Sequence, residues 1–189
     1  MADLPKLDNA REALRVHILR HSHKTGEFTL KSGRTSNWFL DSKQTACRSD
    51  GILLVSDVAL SILPSNIDAI GGLTMGADPV AFGIAAVAAT RGRNLRSFSV
   101  RKEAKDHGVT GRVAGALQPG DKVAIVEDTV TRGTSLFEAV EVVRAFGATP
   151  IFITVVVDRG GTCETMAKNA NIAYEPMLTA PDLGYAFGS

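Results

Sequence analysis

The 189-residue sequence has only 2 cysteines, Cys47 and Cys163, which are far apart and lack any metal-ligand spacing. They read as reduced thiols of a cytoplasmic protein, which excludes a disulfide framework and a zinc-ribbon type of cluster. Charge imbalance is also missing, since 21 Lys and Arg face 20 Asp and Glu, a formal net charge of +1. A general attraction for nucleic acid or an anionic membrane is thereby excluded, and any affinity for anions has to be local. Long hydrophobic runs are absent. The longest, Val80 to Ala89, is too short to cross a bilayer and ends at Thr90-Arg91. The N-terminus (MADLPKLDNAREALR) is charged and amphipathic, without a secretory hydrophobic region. No G-x-x-x-x-G-K-[ST] occurs, which argues against a P-loop nucleotide site. Repeats, linkers and low-complexity tracts are lacking as well. What remains, 44% hydrophobic and 22% charged residues, is the composition of one ordinary globular domain.

The apolar pattern predicts an amphipathic helix over 8–22, with Asp8 as N-cap and Ala10, Leu14 and Ile18 on one face. Phe28-Thr29-Leu30 and Trp38-Phe39-Leu40 flank a polar stretch and predict a β-hairpin. A second helix is expected over 51–63, stopped by Pro64. From there strands alternate with helices: strand 67–71, helix 78–90, strand 95–100, strand 123–126, helix 135–146 with Gly147 as C-cap, strand 151–157 and helix 162–170. Residues 101–120 carry no apolar periodicity. This alternation implies βαβ units and a mostly parallel sheet flanked by helices, a Rossmann-like α/β fold. Ligands in such sheets bind beyond the carboxyl ends of the strands.

The segment VAIVEDTVTRGTS, residues 123–135, therefore carries most weight. A buried strand delivers two adjacent carboxylates, Glu127 and Asp128, to its carboxyl end. A hydroxyl-rich turn then leads through Gly133 into a helix. Backbone N–H groups of the turn, the helix N-terminus and the hydroxyls of Thr131, Thr134 and Ser135 suit a phosphate dianion, and Gly133 lets the backbone approach closely. Carboxylates repel phosphate but accept hydrogen bonds from vicinal hydroxyls. Phosphate and diol sites one turn apart describe a ribose 5-phosphate. The plainer alternative is an acidic strand end followed by an ordinary Ser/Thr cap. Elsewhere, RKEAKDHG (101–108) gathers Arg101, Lys102, Lys105 and His107 on a stretch with glycines further on. It reads as a lid that clamps a polyanion or as a solvated loop. Asp158-Arg159 follows an apolar strand, where a guanidinium could fork onto a ligand carboxylate or form a plain salt bridge. His21 and His23, close to a helix end with no third ligand in view, read as surface or capping residues.

Residues 123–135 resemble the phosphoribosyl pyrophosphate signature of type I phosphoribosyltransferases. RKEAKDHG is similar nearly letter for letter to the catalytic loop of the orotate phosphoribosyltransferase family, and FTLKSGRTSNWFLDSK (28–43) resembles its orotate-binding segment. The resemblance spans residues 26 to about 185. It implies a single type I phosphoribosyltransferase domain over 1–189, with a small N-terminal hood of helix and hairpin (1–45), an α/β core (46–180) and a mobile loop (101–115). It further implies orotate and phosphoribosyl pyrophosphate as substrates, and Mg²⁺ held mainly through the substrate with no direct protein ligand. A cytoplasmic homodimer with shared sites, and no nucleic-acid or membrane partner, is implied too. Carried across, Lys102, Lys105 and His107 follow charge onto departing pyrophosphate, with Arg101 beside them. Glu127 and Asp128 hold the ribose hydroxyls, Asp128 with a catalytic role. Thr129, Thr131, Arg132, Gly133, Thr134 and Ser135 surround the phosphate, and Lys31 contacts pyrophosphate or orotate. Phe39 stacks on the pyrimidine, Leu40 stands where the family often has a second Phe, and Arg159 reads the orotate carboxylate. GGLTMGAD (71–78) matches the pyrophosphate loop, with Thr74 and with Met75 where many bacterial relatives carry Lys. A non-proline cis peptide is implied there at Leu73–Thr74. A purine phosphoribosyltransferase and an RNA-binding regulator on the same fold are the alternatives.

Overall fold

The computed structural model describes residues 5–29, 35–105 and 111–189, of which Lys105 by its backbone alone. Lys31 and His107 lie outside the described residues.

Helix α1 (Leu7–His21) buries Ala10, Leu14, His17 and Ile18, the i, i+4, i+7, i+8 stripe of an amphipathic helix. Asp8 lies inside its first turn and does not cap it. Strands β1 (His23–Thr29) and β2 (Thr35–Leu40) pair antiparallel in a hairpin of their own. A short helix α2 (Lys43–Ala46) and helix α3 (Ser49–Ile62) lead into the core. There follow β3 (Ala69–Leu73), α4 (Ala77–Thr90), β4 (Arg96–Lys105), β5 (Gly111–Gly115), β6 (Lys122–Val130), α5 (Thr134–Phe146), β7 (Thr149–Asp158), α6 (Cys163–Asn169), and the two-residue strands β8 (Ala173–Tyr174) and β9 (Leu178–Thr179).

The main sheet runs β5-β4-β3-β6-β7-β8, with β9 also beside β7. All its pairings are parallel except β4 with β5. Its strands are apolar on both faces because both are covered. Along β6, Ala124 and Val126 join a core shared with α1, α3 and α4, while Val123 and Ile125 join one shared with α5 and α6. Connections leave β3 and β6 in opposite directions across the sheet, so a crevice opens between their carboxyl ends.

One difference from the sequence reading is instructive. The stretch from Arg101 onward continues β4 as far as Lys105 and returns as β5, so much of the expected loop is an edge hairpin. Lys102, Glu103 and Ala104 are exposed there. Only Val113 of the return strand packs against the core, so the exposed run Lys102 to Ala104 shows no apolar alternation.

Leu14→Ala removes a fully buried side chain that fastens α1 to the core. Urea unfolding should show a loss of about 2–5 kcal/mol. A loss below about 1 kcal/mol would contradict the packing described for α1.

Candidate active site

Three segments converge at the crevice. From β6 come Glu127 and Asp128, both buried. Asp128 is well supplied with donors. Its Oδ2 accepts from Ser42 Oγ at 2.9 Å and Lys43 Nζ at 2.6 Å, and its Oδ1 from the Thr129 amide at 2.8 Å. Ser42 and Thr129 also share a hydroxyl hydrogen bond of 2.7 Å. Burial works against charge on Lys43, but the hydrogen bond and attraction from Asp128, aided by Asp41 and Glu127, hold its pKa above the usual lysine value. Glu127 is poorer in partners, its Oε1 accepting from the Asp128 amide at 3.1 Å. Burial first, and then the adjacent Asp128 carboxylate, push Glu127 up to about 8.

From β3 comes the loop Thr74-Met75-Gly76. The Thr74–Met75 peptide bond is cis, one bond further along than the resemblance implied. Thr74 Oγ1 donates to Asp78 Oδ2 at 2.6 Å, and Ser99 Oγ of β4 donates to the other oxygen at 2.6 Å. Asp78 thus ties the loop to the neighbouring strand. Gly76 packs against the acidic pair: a Cβ there would collide with Glu127 Oε1 and come within 2.6 Å of Asp128 Oδ1. Only glycine allows that approach. Met75 is 69% exposed.

After β6, Thr131 and Arg132 are exposed, and Gly133 adopts a left-handed φ of 78° that turns the chain into α5. Thr134 and Ser135, exposed in the first turn, follow. Among the described residues no side chain caps this helix, so its first amides face outward, where an anion would be received.

The third contribution follows β7. Asp158 accepts from the amides of Gly160 and Gly161 at 2.8 and 2.9 Å and from Tyr174 Oη at 2.7 Å, fixing the turn that presents Arg159. The Arg159 amide donates to Val130 O at 2.8 Å, which keeps it beside the phosphate turn. Its guanidinium lies 3.9 Å above the Trp38 ring centroid and donates from Nη2 to Ser189 O at 3.2 Å. Arg159 Nε is buried without a hydrogen-bond partner among the described residues, and burial lowers its pKa. Trp38 in turn stacks on Tyr185 at 4.3 Å.

The structure therefore brings together Thr74, Glu127, Asp128, Thr129, Gly133 and Arg159. Phe39 sits on the other face of β2 from Trp38, 38% exposed and 5.5 Å from Phe28, while Leu40 is buried at 6%. On the β4–β5 hairpin, Arg101 donates to Gly111 O at 3.2 Å and Lys102 is exposed. The geometry adds Trp38, Ser42, Lys43, Gly76 and Asp78. Ser42 and Lys43 close the 28–43 segment, whose polar end was a visible signal. Trp38 has none beyond its place in an alternating strand.

No family model matches the chain. It is 39% identical over 180 residues to the orotate phosphoribosyltransferase of Streptomyces avermitilis, covering 94% of this chain and 99% of that one. The fold superposes on orotate phosphoribosyltransferase of Mycobacterium tuberculosis H37Rv with a TM-score of 0.80 at 32% identity, covering 93% of this chain and 99% of that chain. A structure of the M. tuberculosis protein in complex with 5-phospho-alpha-D-ribosyl 1-diphosphate superposes with a TM-score of 0.76 at 28% identity, covering 93% and 99%.

Glu127 gives a pH signature. Its folded value near 8 stands above the ordinary 4.5, so the native state binds the proton more tightly than the unfolded chain. That stability is fully present below about pH 4.5 and is lost as pH rises through about 8. Glu127→Gln should match the parent's denaturation midpoint near pH 5 and exceed it near about pH 9. A parallel pair of curves across that range would refute the burial of this charge.

Proposed function

The chain belongs to the orotate phosphoribosyltransferase family, and from that premise we propose that it transfers the phosphoribosyl group of phosphoribosyl pyrophosphate to orotate. The products are orotidine 5′-monophosphate and pyrophosphate, a step of pyrimidine nucleotide synthesis. The observation that carries the substrate reading is Arg159. A buried guanidinium 3.9 Å from the Trp38 ring centroid, its Nε without a hydrogen-bond partner among the described residues, suits a planar ring bearing a carboxylate.

In this reading the uncapped first turn of α5 and the hydroxyls of Thr131, Thr134 and Ser135 receive the 5′-phosphate. Glu127 and Asp128 accept hydrogen bonds from the ribose hydroxyls and stabilise the positive charge that grows at C1′ as pyrophosphate departs. Thr74 and the backbone around Met75 and Gly76 face the leaving group. Lys102, Lys105 and His107 follow its charge, and closing this segment over the site excludes water that would hydrolyse the activated sugar. Orotate N1 attacks from the opposite side, so most of the acceleration comes from positioning. Mg²⁺ fits this site: two adjacent carboxylates, one with its pKa pushed up by the other and by burial, offer hard oxygens where added positive charge is welcome. Glu127 and Asp128 would hold it through the ribose hydroxyls, and it would supply Lewis-acid charge to the departing pyrophosphate.

Mixing protein, Mg²⁺, phosphoribosyl pyrophosphate and orotate should make orotate absorbance fall. Uracil, lacking the carboxylate, leaves Arg159 unpaired and should react less efficiently by about 2–4 kcal/mol. Equal kcat/KM for the two bases would sink the assignment.

The working unit proposed is a homodimer in which each hairpin serves the neighbouring subunit's site. Lys105→Ala and Arg159→Ala should each be nearly inactive alone. In a mixed dimer one site combines a sound hairpin with a sound pocket, and the other collects both defects. Random re-association makes about half the dimers mixed, so about a quarter of all sites should recover. Mixing that restores nothing, with re-association verified by mass, would show that each hairpin serves its own subunit.

A further inference from the structure

We propose that His17, His21 and Asp50 form a binding site for a divalent transition-metal ion of the Zn²⁺ class, separate from the phosphoribosyl site. His17 and His21 stand one turn apart on α1, so their rings share a face, with centroids 4.5 Å apart. Asp50, in the first turn of α3, sets Oδ2 at 3.5 Å from His17 Nε2. One ligand atom from each of the three residues lies within 4.8 Å of the other two. Neither the proposed chemistry nor the substrates use any of them.

The second observation concerns His17 itself. It is 9% exposed, and its Nε2 is buried with no hydrogen-bond partner among the described residues. Its Nδ1 lies 3.2 Å from Thr45 Oγ1, which is itself 2.6 Å from Ser22 Oγ. When Nδ1–H donates to that hydroxyl, the ring is oriented and Nε2 keeps its lone pair, the way a ligating histidine is held from behind. A simple His17–Asp50 ion pair is a poorer account. A charge-assisted hydrogen bond spans about 2.7–2.9 Å, shorter than the 3.5 Å found. Two ligands each about 2.0–2.1 Å from a tetrahedral ion sit about 3.4 Å apart, close to the 3.5 Å between His17 Nε2 and Asp50 Oδ2. Asp50 Oδ1 accepts from Arg48 Nε at 3.2 Å and from the Gly51 amide at 3.1 Å, which aims Oδ2 toward the histidines.

Arg48 beside Asp50, and Arg20 on the rim, disfavour a hard cation held by charge alone. Imidazole ligands favour Zn²⁺ over Mg²⁺ or Ca²⁺. The three residues border an open depression of about 510 Å³, which leaves room for water as the fourth ligand. An ion here braces α1 against α3 and, through Thr45, against α2, whose Lys43 and preceding Ser42 hold Asp128.

The test uses the full chain freed of metal with a chelator, with saturating Mg²⁺ present throughout. Calorimetric titration with Zn²⁺ should show one equivalent per chain with micromolar or tighter affinity, and Co²⁺ should give a visible d–d band. Zn²⁺ should also raise the melting temperature. Replacing His17 risks the fold, so the partly exposed His21→Ala and exposed Asp50→Asn are the variants of choice. Each should weaken Zn²⁺ binding about tenfold or more, abolish the thermal shift and leave orotate turnover at the parent's level. Asp128→Asn should keep the site. Millimolar binding, binding indifferent to His21→Ala, or binding lost with Asp128→Asn would each overturn the proposal.

Discussion

Two like charges on consecutive residues of a buried strand end set the terms for everything around the crevice. Glu127 and Asp128 are both largely out of water, and burial first, then the neighbouring Asp128 carboxylate, raises the cost of ionising Glu127. The surroundings answer unequally. Asp128 receives a hydroxyl, an ammonium and a backbone amide. Glu127 is left to the backbone and to whatever ligand arrives. Gly76 must then be glycine, since any side chain would press on the carboxylates from the next loop. A pair prepared in this way suits a ligand that brings hydroxyl donors and growing positive charge, which is what a ribose losing pyrophosphate supplies.

The sheet order explains why these parts meet. Because the chain leaves β3 toward β4 and leaves β6 toward β7, the loops after β3 and β6 are not covered by a crossover helix. The cis-containing loop, the acidic pair and the start of α5 share that gap. The turn after β7 lies one strand further along, and its Arg159 amide is pinned to Val130 O. Three sequence-distant segments, after β3, β6 and β7, are thus set by one parallel ladder.

Much of this was legible beforehand for physical reasons. Strands buried on both faces are continuous apolar runs, and helices with one buried face show the 3.6-residue stripe, so the order of elements could be read from 123–126 or from 135–146. The turn after β6 into α5 was legible because hydroxyls, a glycine and a helix start are adjacent in sequence. The extension of β4 past Arg101 was not, since Lys102 to Ala104 are exposed and carry no apolar period. Nor were Ser42 and Lys43 as partners of Asp128, because hydrogen bonds across more than 80 residues leave no local period. The cluster at His17, His21 and Asp50 escaped for the same reason: two of its members are a helical turn apart, but the third arrives from another helix.

The wall around Arg159 shows how far such long-range contacts shape its surroundings. Trp38 from the hairpin lies under the guanidinium and donates from Nε1 to Ser189 Oγ at 3.0 Å. Tyr185 stacks on the far side of the same indole and shares a 2.7 Å hydrogen bond with His23. The Gly188 amide donates to Arg159 O at 2.7 Å. Residues 23, 38, 159, 185 and 188–189 therefore behave as one unit, with the aromatic pair serving as a rigid floor for the cation. Two local sources of positive potential then coexist in a chain of net charge +1. One uses uncapped backbone amides at the start of α5, and the other a single desolvated guanidinium. Neither needs a basic surface, because the amides act at short range and the guanidinium is largely out of water.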